Sequence, residues 1–228
     1  MEVNLQKESL QRIARELAQM GQQSGKPLTE EEIVPLLERY QAAFRPEVTE
    51  VRPLELECDV VRFQNNKDKW VALVGLLDGY PYEIFTGLQD DEEGIILPKS
   101  VTKGKIIKHI NQDGTKRYDF QFENTRGYKI TVEGLSEKFN PEYWNYAKLI
   151  SGVLRYGMPI PQVLKLVSSL ELDSQSINTW KMGVERALKR YINNGESAGV
   201  RCPNCGQETL VYQEGCLICT NCGTSRCG

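Results

Sequence analysis

Apolar and polar positions alternate along one stretch of this chain and recur at helical spacing along another. Over residues 54–62 the set Leu54, Leu56, Cys58 and Val60 falls on one side of an extended backbone, because successive strand side chains point to opposite faces. Residues 70–77 form a nearly continuous apolar run, the pattern of a strand buried on both faces. Asp78-Gly79 then reads as a tight turn into residues 82–86, making a hairpin. Asp113-Gly114 signals a second hairpin between residues 105–110 and 117–122, and Arg126-Gly127 begins a third turn into residues 128–133. The polar, acidic residues 89–94 read as a solvated loop. Together, residues 53–135 read as antiparallel sheet.

From residue 140 the period becomes helical. Asn140 can cap, and Pro141 suits the first helical position, where no N–H is needed. Tyr143, Ala147, Ile150 and Leu154 follow at helical spacing, and Gly157 suits a left-handed stop. Met158-Pro-Ile-Pro161 reads as a rigid linker into a helix over residues 163–170. A third helix is expected over residues 176–192, with Ile177, Trp180, Val184 and Leu188 on its buried stripe. Its other faces carry Lys181, Arg186, Lys189 and Arg190 against Glu185, which reads as a solvated basic face. Ahead of the sheet, residues 1–50 read as a helical arm. Leu5, Ile13, Leu17 and Met20 mark one short helix, and Ile33, Leu36, Leu37 and Tyr40 mark another. Thr29 and Glu32 have the spacing of a capping box, and Pro35 falls in the first turns, where it is tolerated.

Composition narrows the class. The chain has 228 residues, 40% of them hydrophobic and 26% charged, with a net charge of −3. That fits one ordinary globular domain with a small appendage. The mild acidity supplies no global basic field, so nucleic acid is disfavoured as a partner. Glu2, Lys7, Glu8, Arg12, Arg15 and Glu16 rule the first 25 residues out as a signal peptide or a membrane span. The expectation is a cytoplasmic chain whose thiols stay reduced, without a membrane partner.

That expectation bears on the cysteines, because six of the seven lie after residue 200. Cys202-Pro-Asn-Cys205-Gly206 and Cys219-Thr-Asn-Cys222-Gly223 share one local form. A two-residue gap lets both sulfurs turn toward one ion, and the following glycine permits the positive φ that aims N–H groups at thiolates. Two such knuckles make a zinc ribbon, with Cys202, Cys205, Cys219 and Cys222 as ligands. A second register takes Cys216 in place of Cys222. The knuckle register leaves Cys216 and Cys227 over as a thiol-exchange pair; the other leaves Cys222 and Cys227. Cys227 lies beside Arg226 near the end of the sequence, a setting that favours thiolate character. Cys58, on the inward side of its strand, reads as a packed core residue. The polar, glycine-rich residues 193–199 read as a flexible tether for this module.

The predicted fold class is α+β: an antiparallel sheet followed by a small helical bundle, with a C-terminal zinc ribbon on a flexible tether. The predicted domains are a helical arm over residues 1–50, an α+β domain over 51–194 (sheet 53–135, helices 140–194), and a redox-cysteine tail over 195–228.

Arg52-Pro53, Gly79-Tyr-Pro-Tyr-Glu-Ile-Phe85, Asn145-Tyr-Ala-Lys-Leu-Ile-Ser-Gly-Val-Leu-Arg155 and the cysteine-rich end, in this order, resemble the C-terminal region of adenosylcobalamin-dependent (class II) ribonucleotide reductases. The resemblance spans roughly residues 50–228. It implies an oxidoreductase that makes deoxyribonucleotides for DNA synthesis, from ribonucleoside diphosphates in the form expected here. Adenosylcobalamin would sit on a partner catalytic chain, since the catalytic barrel is absent from this sequence. A mobile C-terminal cysteine pair would reduce the partner's active-site disulfide and be recharged by a thioredoxin-like dithiol donor. Carried over by motif, the shuttle pair is Cys222 and Cys227, a rival to the pair Cys216 and Cys227 that the knuckle register leaves. The chain then reads as a separately encoded C-terminal chain or a fragment, inactive alone. The competing reading is a zinc-ribbon module that binds nucleic acid or protein without redox activity; a third is a purely structural zinc-stapled subunit.

Overall fold

The computed structural model of the protein describes Leu17, Thr29, residues 31–34, residues 51–172 and residues 179–227. The chain divides into two units, Met1–Glu47 and Val48–Gly228. In the first, Thr29 precedes a helical turn over residues 31–34. The Glu32 carboxylate accepts the Thr29 N–H at 2.9 Å, and the Thr29 carbonyl accepts the Ile33 N–H at 3.1 Å. This is the reaching-back half of a capping box. Leu17 is helical and exposed; the remaining arm positions, Leu5, Ile13, Met20, Pro35, Leu36, Leu37 and Tyr40, lie outside the described residues.

The second unit is built on a six-stranded antiparallel sheet. Its strands are β1 (Glu55–Asn65), β2 (Asp68–Leu77), β3 (Tyr80–Leu88), β4 (Lys103–Ile110), β5 (Lys116–Glu123) and β6 (Lys129–Val132), in the order β3-β2-β1-β4-β5-β6. At the β2–β3 turn, Asp78 and Gly79 both adopt positive φ (51° and 83°), the turn that matches strand twist. The apolar run on β2 is explained by its two faces. Trp70, Ala72 and Val74 enter one core cluster with Phe63 and Ile84; Val71 and Leu73 enter another with Val60, Phe85, Ile106 and Phe120.

Among the described residues four helices follow: α1 (Leu135–Lys138), α2 (Pro141–Arg155), α3 (Ile160–Ser168) and α4 (Trp180–Lys189). The Asn140 side chain accepts the Glu142 N–H, and Gly157 stops the run with φ 75°. Ile150 and Leu154 of α2, Val163 and Val167 of α3, and Trp180, Val184 and Leu188 of α4 complete the first cluster; Leu135, Phe139 and Trp144 close the second. Helix α2 runs along edge strand β3. There the Ser151 hydroxyl accepts the Ile84 N–H at 3.0 Å and donates to the Ala147 carbonyl at 2.7 Å. An edge whose N–H is occupied in this way is closed to further strand pairing.

Several expectations need adjustment. Ile160 and Pro161 are the first turn of α3, not a linker, because proline loses nothing where a helix has no use for its N–H. The third helix starts at Trp180, where the Thr179 side chain accepts the Met182 N–H; Ser176 and Ile177 lie outside the described residues. Its Lys181 is not simply solvated: the ammonium donates to the Ser168 and Leu170 carbonyls at 3.1 and 2.5 Å, serving the end of α3. Leu54 lies in a bend before β1 begins at Glu55, and it is exposed.

The C-terminal module is a three-stranded ribbon of β7 (Leu210–Gln213), β8 (Cys216–Cys219) and β9 (Ser225–Cys227), with β8 in the centre. Part of the glycine-rich tether is drawn into it. Gly195 N–H donates to Tyr212 O (2.7 Å), Tyr212 N–H to Glu196 O (2.9 Å) and Ala198 N–H to Leu210 O (2.9 Å). The tether's polarity hid this pairing, since backbone groups make it. Among the described residues, no helix is long and apolar enough to cross a membrane.

Candidate metal centre

The two cysteine knuckles repeat each other bond for bond. Gly206 N–H donates to Cys202 O at 2.8 Å, and Gly223 N–H to Cys219 O at 2.9 Å. Cys202 N–H donates to Gln207 O, and Cys219 N–H to Thr224 O, at 2.8 and 2.9 Å. Both glycines are left-handed, with φ of 72° and 71°, where a side chain would be strained. The glycine that follows the second cysteine of each motif is thus the hinge that turns the chain around its two sulfurs.

This folding brings the sulfurs of Cys202, Cys205, Cys219 and Cys222 within 4.8 Å of one another. Cys202 Sγ lies 3.6 Å from Cys222 Sγ, and Cys205 Sγ lies 3.6 Å from Cys219 Sγ. A tetrahedral zinc with thiolate bonds of about 2.3 Å has sulfur–sulfur edges of about 3.8 Å, so these four can hold a metal of that kind. Cys202 and Cys219 are buried against Leu210, with Ala198 and Leu217 packed around them.

Polar neighbours favour the thiolate form at Cys222 and Cys219. Thr224, then Asn204, hydrogen-bond the Cys222 sulfur (3.2 and 3.5 Å) and pull its pKa down to about 5. Thr209 at 3.2 Å, then the Cys222 N–H at 3.4 Å, lower that of Cys219. Sequence reading assigned no role to Thr209, Thr224 or Asn204. Only the position of Asn204 inside a knuckle offered a hint; the threonines reach the sulfurs through strand pairing and a turn.

Cys216 is not part of this group. It opens β8 while Cys219 ends it, and residues three apart on a strand face opposite sides. Cys216 is disulfide-bonded, and its backbone partner across β8–β9 is Cys227. Cys58 is buried in the sheet core, where loss of solvation and then the Glu83 charge push its thiol well above the usual range. It is inert packing, far from thiolate chemistry.

A second polar cluster lies inside the sheet domain. Glu83 is fully buried on β3 and clamped from two sides. Arg52 gives it a forked pair of bonds (Nε to Oε2 2.9 Å, Nη2 to Oε1 2.5 Å), and Arg155 Nη2 adds a third at 2.7 Å. Arg52 also donates to the Pro53 and Leu54 carbonyls and stacks 5.4 Å over Tyr118, while Arg155 lies 5.2 Å over Tyr82. Arg52, Glu83 and Arg155 come from three separate motifs that carried the resemblance. The motifs are distant in sequence and meet at one carboxylate.

A family model described as NrdJ homologue C-terminal domain matches residues 56–193. The chain belongs to the NrdJ homologue C-terminal domain family. It is thereby a C-terminal region of a class II ribonucleotide reductase, and its role is associated with that oxidoreductase. Nothing among curated proteins or solved structures matches it. The NrdJ-related match ends at residue 193, before the ribbon, so the metal centre rests on its own geometry.

Proposed function

We propose that this chain relays electrons from a thioredoxin-like dithiol donor to the active-site disulfide of a catalytic reductase chain that carries adenosylcobalamin. Membership of the NrdJ homologue family supports the reductase association. The relay itself rests on how six sulfurs divide. Four gather within 4.8 Å, while Cys216, on the other face of β8, is disulfide-bonded and registered opposite Cys227.

In this reading Cys202, Cys205, Cys219 and Cys222 hold zinc, which supplies structure by tying the two knuckles together. Cys216 and Cys227 form the shuttle pair. One thiolate of the reduced pair attacks the partner's disulfide, forming a mixed disulfide and releasing one partner thiolate. The other thiolate then attacks this chain's sulfur in the mixed disulfide. The Cys216–Cys227 disulfide forms, the second partner thiolate leaves, and two electrons and two protons have passed to the catalytic chain. An external dithiol repeats both exchanges in reverse on the ribbon and is itself oxidised to a disulfide. Strand β8 keeps the exchanging sulfur apart from the metal thiolates, which protects the knuckles from scrambling.

The test is a reductase assay on the complex of this chain with its catalytic partner. Cys216→Ser and Cys227→Ser should each abolish turnover driven by thioredoxin while sparing turnover driven by a small dithiol. Full thioredoxin-driven activity in either variant contradicts the relay.

A further inference from the structure

The alternation that sends Leu56, Cys58 and Val60 into the core ends where β1 begins. Leu54, in the bend just before β1, is 59% exposed, and its carbonyl accepts the Lys108 N–H at 2.7 Å, which sets it beside Lys108. On β4 the buried Ile106 is followed, on its own face, by Lys108 and then by Ile110, which is 60% exposed. Lys108 pairs with Tyr118 and Ile110 with Lys116, so these β5 residues share that face. This end of the sheet therefore presents two apolar side chains interleaved with two ammonium groups.

Charge there is unbalanced. The single Glu83 carboxylate already answers to two arginines, Arg52 and Arg155. Lys108 and Lys116 add to the positive side, and neither forms an ion pair among the described residues. Partial burial, then the charges of Lys116, Arg52 and Arg155, hold the Lys108 ammonium below its ordinary pKa. The opposite face of the same strands is different. Lys105 meets Glu55 and Glu57 at 3.3 and 3.5 Å, and Arg117 meets Asp119 and Glu133 at 2.9 and 3.7 Å. Arg52 and Arg155 share Glu83, and Lys105 and Arg117 each meet two carboxylates, whereas Lys108 and Lys116 meet none among the described residues.

We propose that the surface formed by Leu54, Lys108, Ile110 and Lys116, backed by Arg155, docks an acidic segment of a partner protein that carries an apolar anchor. The uncompensated cations select acidic side chains and speed encounter with them. The flanking Leu54 and Ile110 select a peptide over a bare phosphate, because only a peptide can cover apolar surface as it pairs the charges. The surface contains no thiol, so it stands or falls independently of the electron relay.

The experiment is amide NMR of the full metal-loaded chain, titrated separately with a synthetic peptide of alternating Glu and Leu, with pyrophosphate, and with a single-stranded oligonucleotide. The peptide should shift the amides of Leu54, Lys108, Ile110 and Lys116 in a saturable way. Lys108→Glu with Lys116→Glu should weaken it by about tenfold or more, as loss of two favourable charge contacts implies. Leu54→Ala should weaken it without altering its salt dependence. Both lysines and Leu54 are at the surface, so unchanged amide positions in the core verify folding. The proposal is overturned if the peptide shifts none of these amides, if the reversed variant binds equally well, or if pyrophosphate or the oligonucleotide saturates the surface at lower concentration.

Discussion

Cys216 and Cys219 are the first and last residues of one four-residue strand, and they face opposite sides of it. The first is disulfide-bonded; the second lies among the four gathered thiols. About 10 Å of extended backbone separates them, since a strand rises about 3.3 Å per residue. Ligation by Cys219 therefore excludes Cys216 from the same ion. Zinc analysis should find about one equivalent per chain in the wild type and in Cys216→Ser. Cys219→Ser and Cys222→Ser should bind zinc far more weakly and lose the ribbon fold, while the sheet domain with its separate core keeps its own.

The Arg52–Glu83–Arg155 cluster predicts a stability effect unconnected with sulfur. Removing the carboxylate leaves two arginines facing each other in a buried site. Glu83→Ala should cost about 3–5 kcal/mol, the range for breaking a buried ion pair from one side. Denaturant unfolding of the chain measures it.

Helix α4 crosses β1 closely because Gly183 has no side chain. A Cβ there would lie 2.0 Å from the Phe63 ring. Gly183→Ala should destabilise the chain by about 1–3 kcal/mol or more through overpacking, against the small gain an exposed helix would show. Adding Phe63→Leu should recover part of the loss, a non-additivity that thermal unfolding of the three variants detects.

Tyr191 donates to the Asp59 carboxylate at 2.6 Å, and burial, then that carboxylate, push its pKa upward. The folded state resists its ionisation, whereas the unfolded chain ionises near pH 10. Its contribution is complete below about pH 10 and is lost as pH rises beyond that point. Tyr191→Phe should lower stability near neutrality by about 1 kcal/mol and flatten the alkaline loss, as followed by unfolding at pH 7 to 11.

Much of this architecture was legible in the sequence, for identifiable reasons. The double-faced burial of β2 follows from its unbroken apolar run; the hairpins follow from Asp78-Gly79, where both residues take positive φ, and from Asp113-Gly114 and Arg126-Gly127, where the glycine does. Asn140 and Gly157 bound their helix as residue chemistry requires. The grouping of Cys202, Cys205, Cys219 and Cys222 follows from two knuckles of the same spacing, each closed by glycine. What stayed hidden depends on tertiary placement. Leu54 is chemically indistinguishable from Leu56, but no described element covers it. Residues 195–198 look like tether because their pairing with β7 uses backbone alone. Glu83 is an ordinary charged residue until Arg52 and Arg155 arrive from elsewhere in the chain.

The central claim concerns which two sulfurs exchange electrons, and thiol mapping tests it directly. The metal-loaded full chain is reduced with thioredoxin, thioredoxin reductase and NADPH, quenched with an alkylating agent, and analysed by peptide mass spectrometry alongside its zinc content. The account predicts new labels on Cys216 and Cys227, with zinc retained and the knuckle cysteines unlabelled. Labels on Cys222 and Cys227 accompanied by zinc loss, or no thioredoxin-dependent label at all, would contradict it.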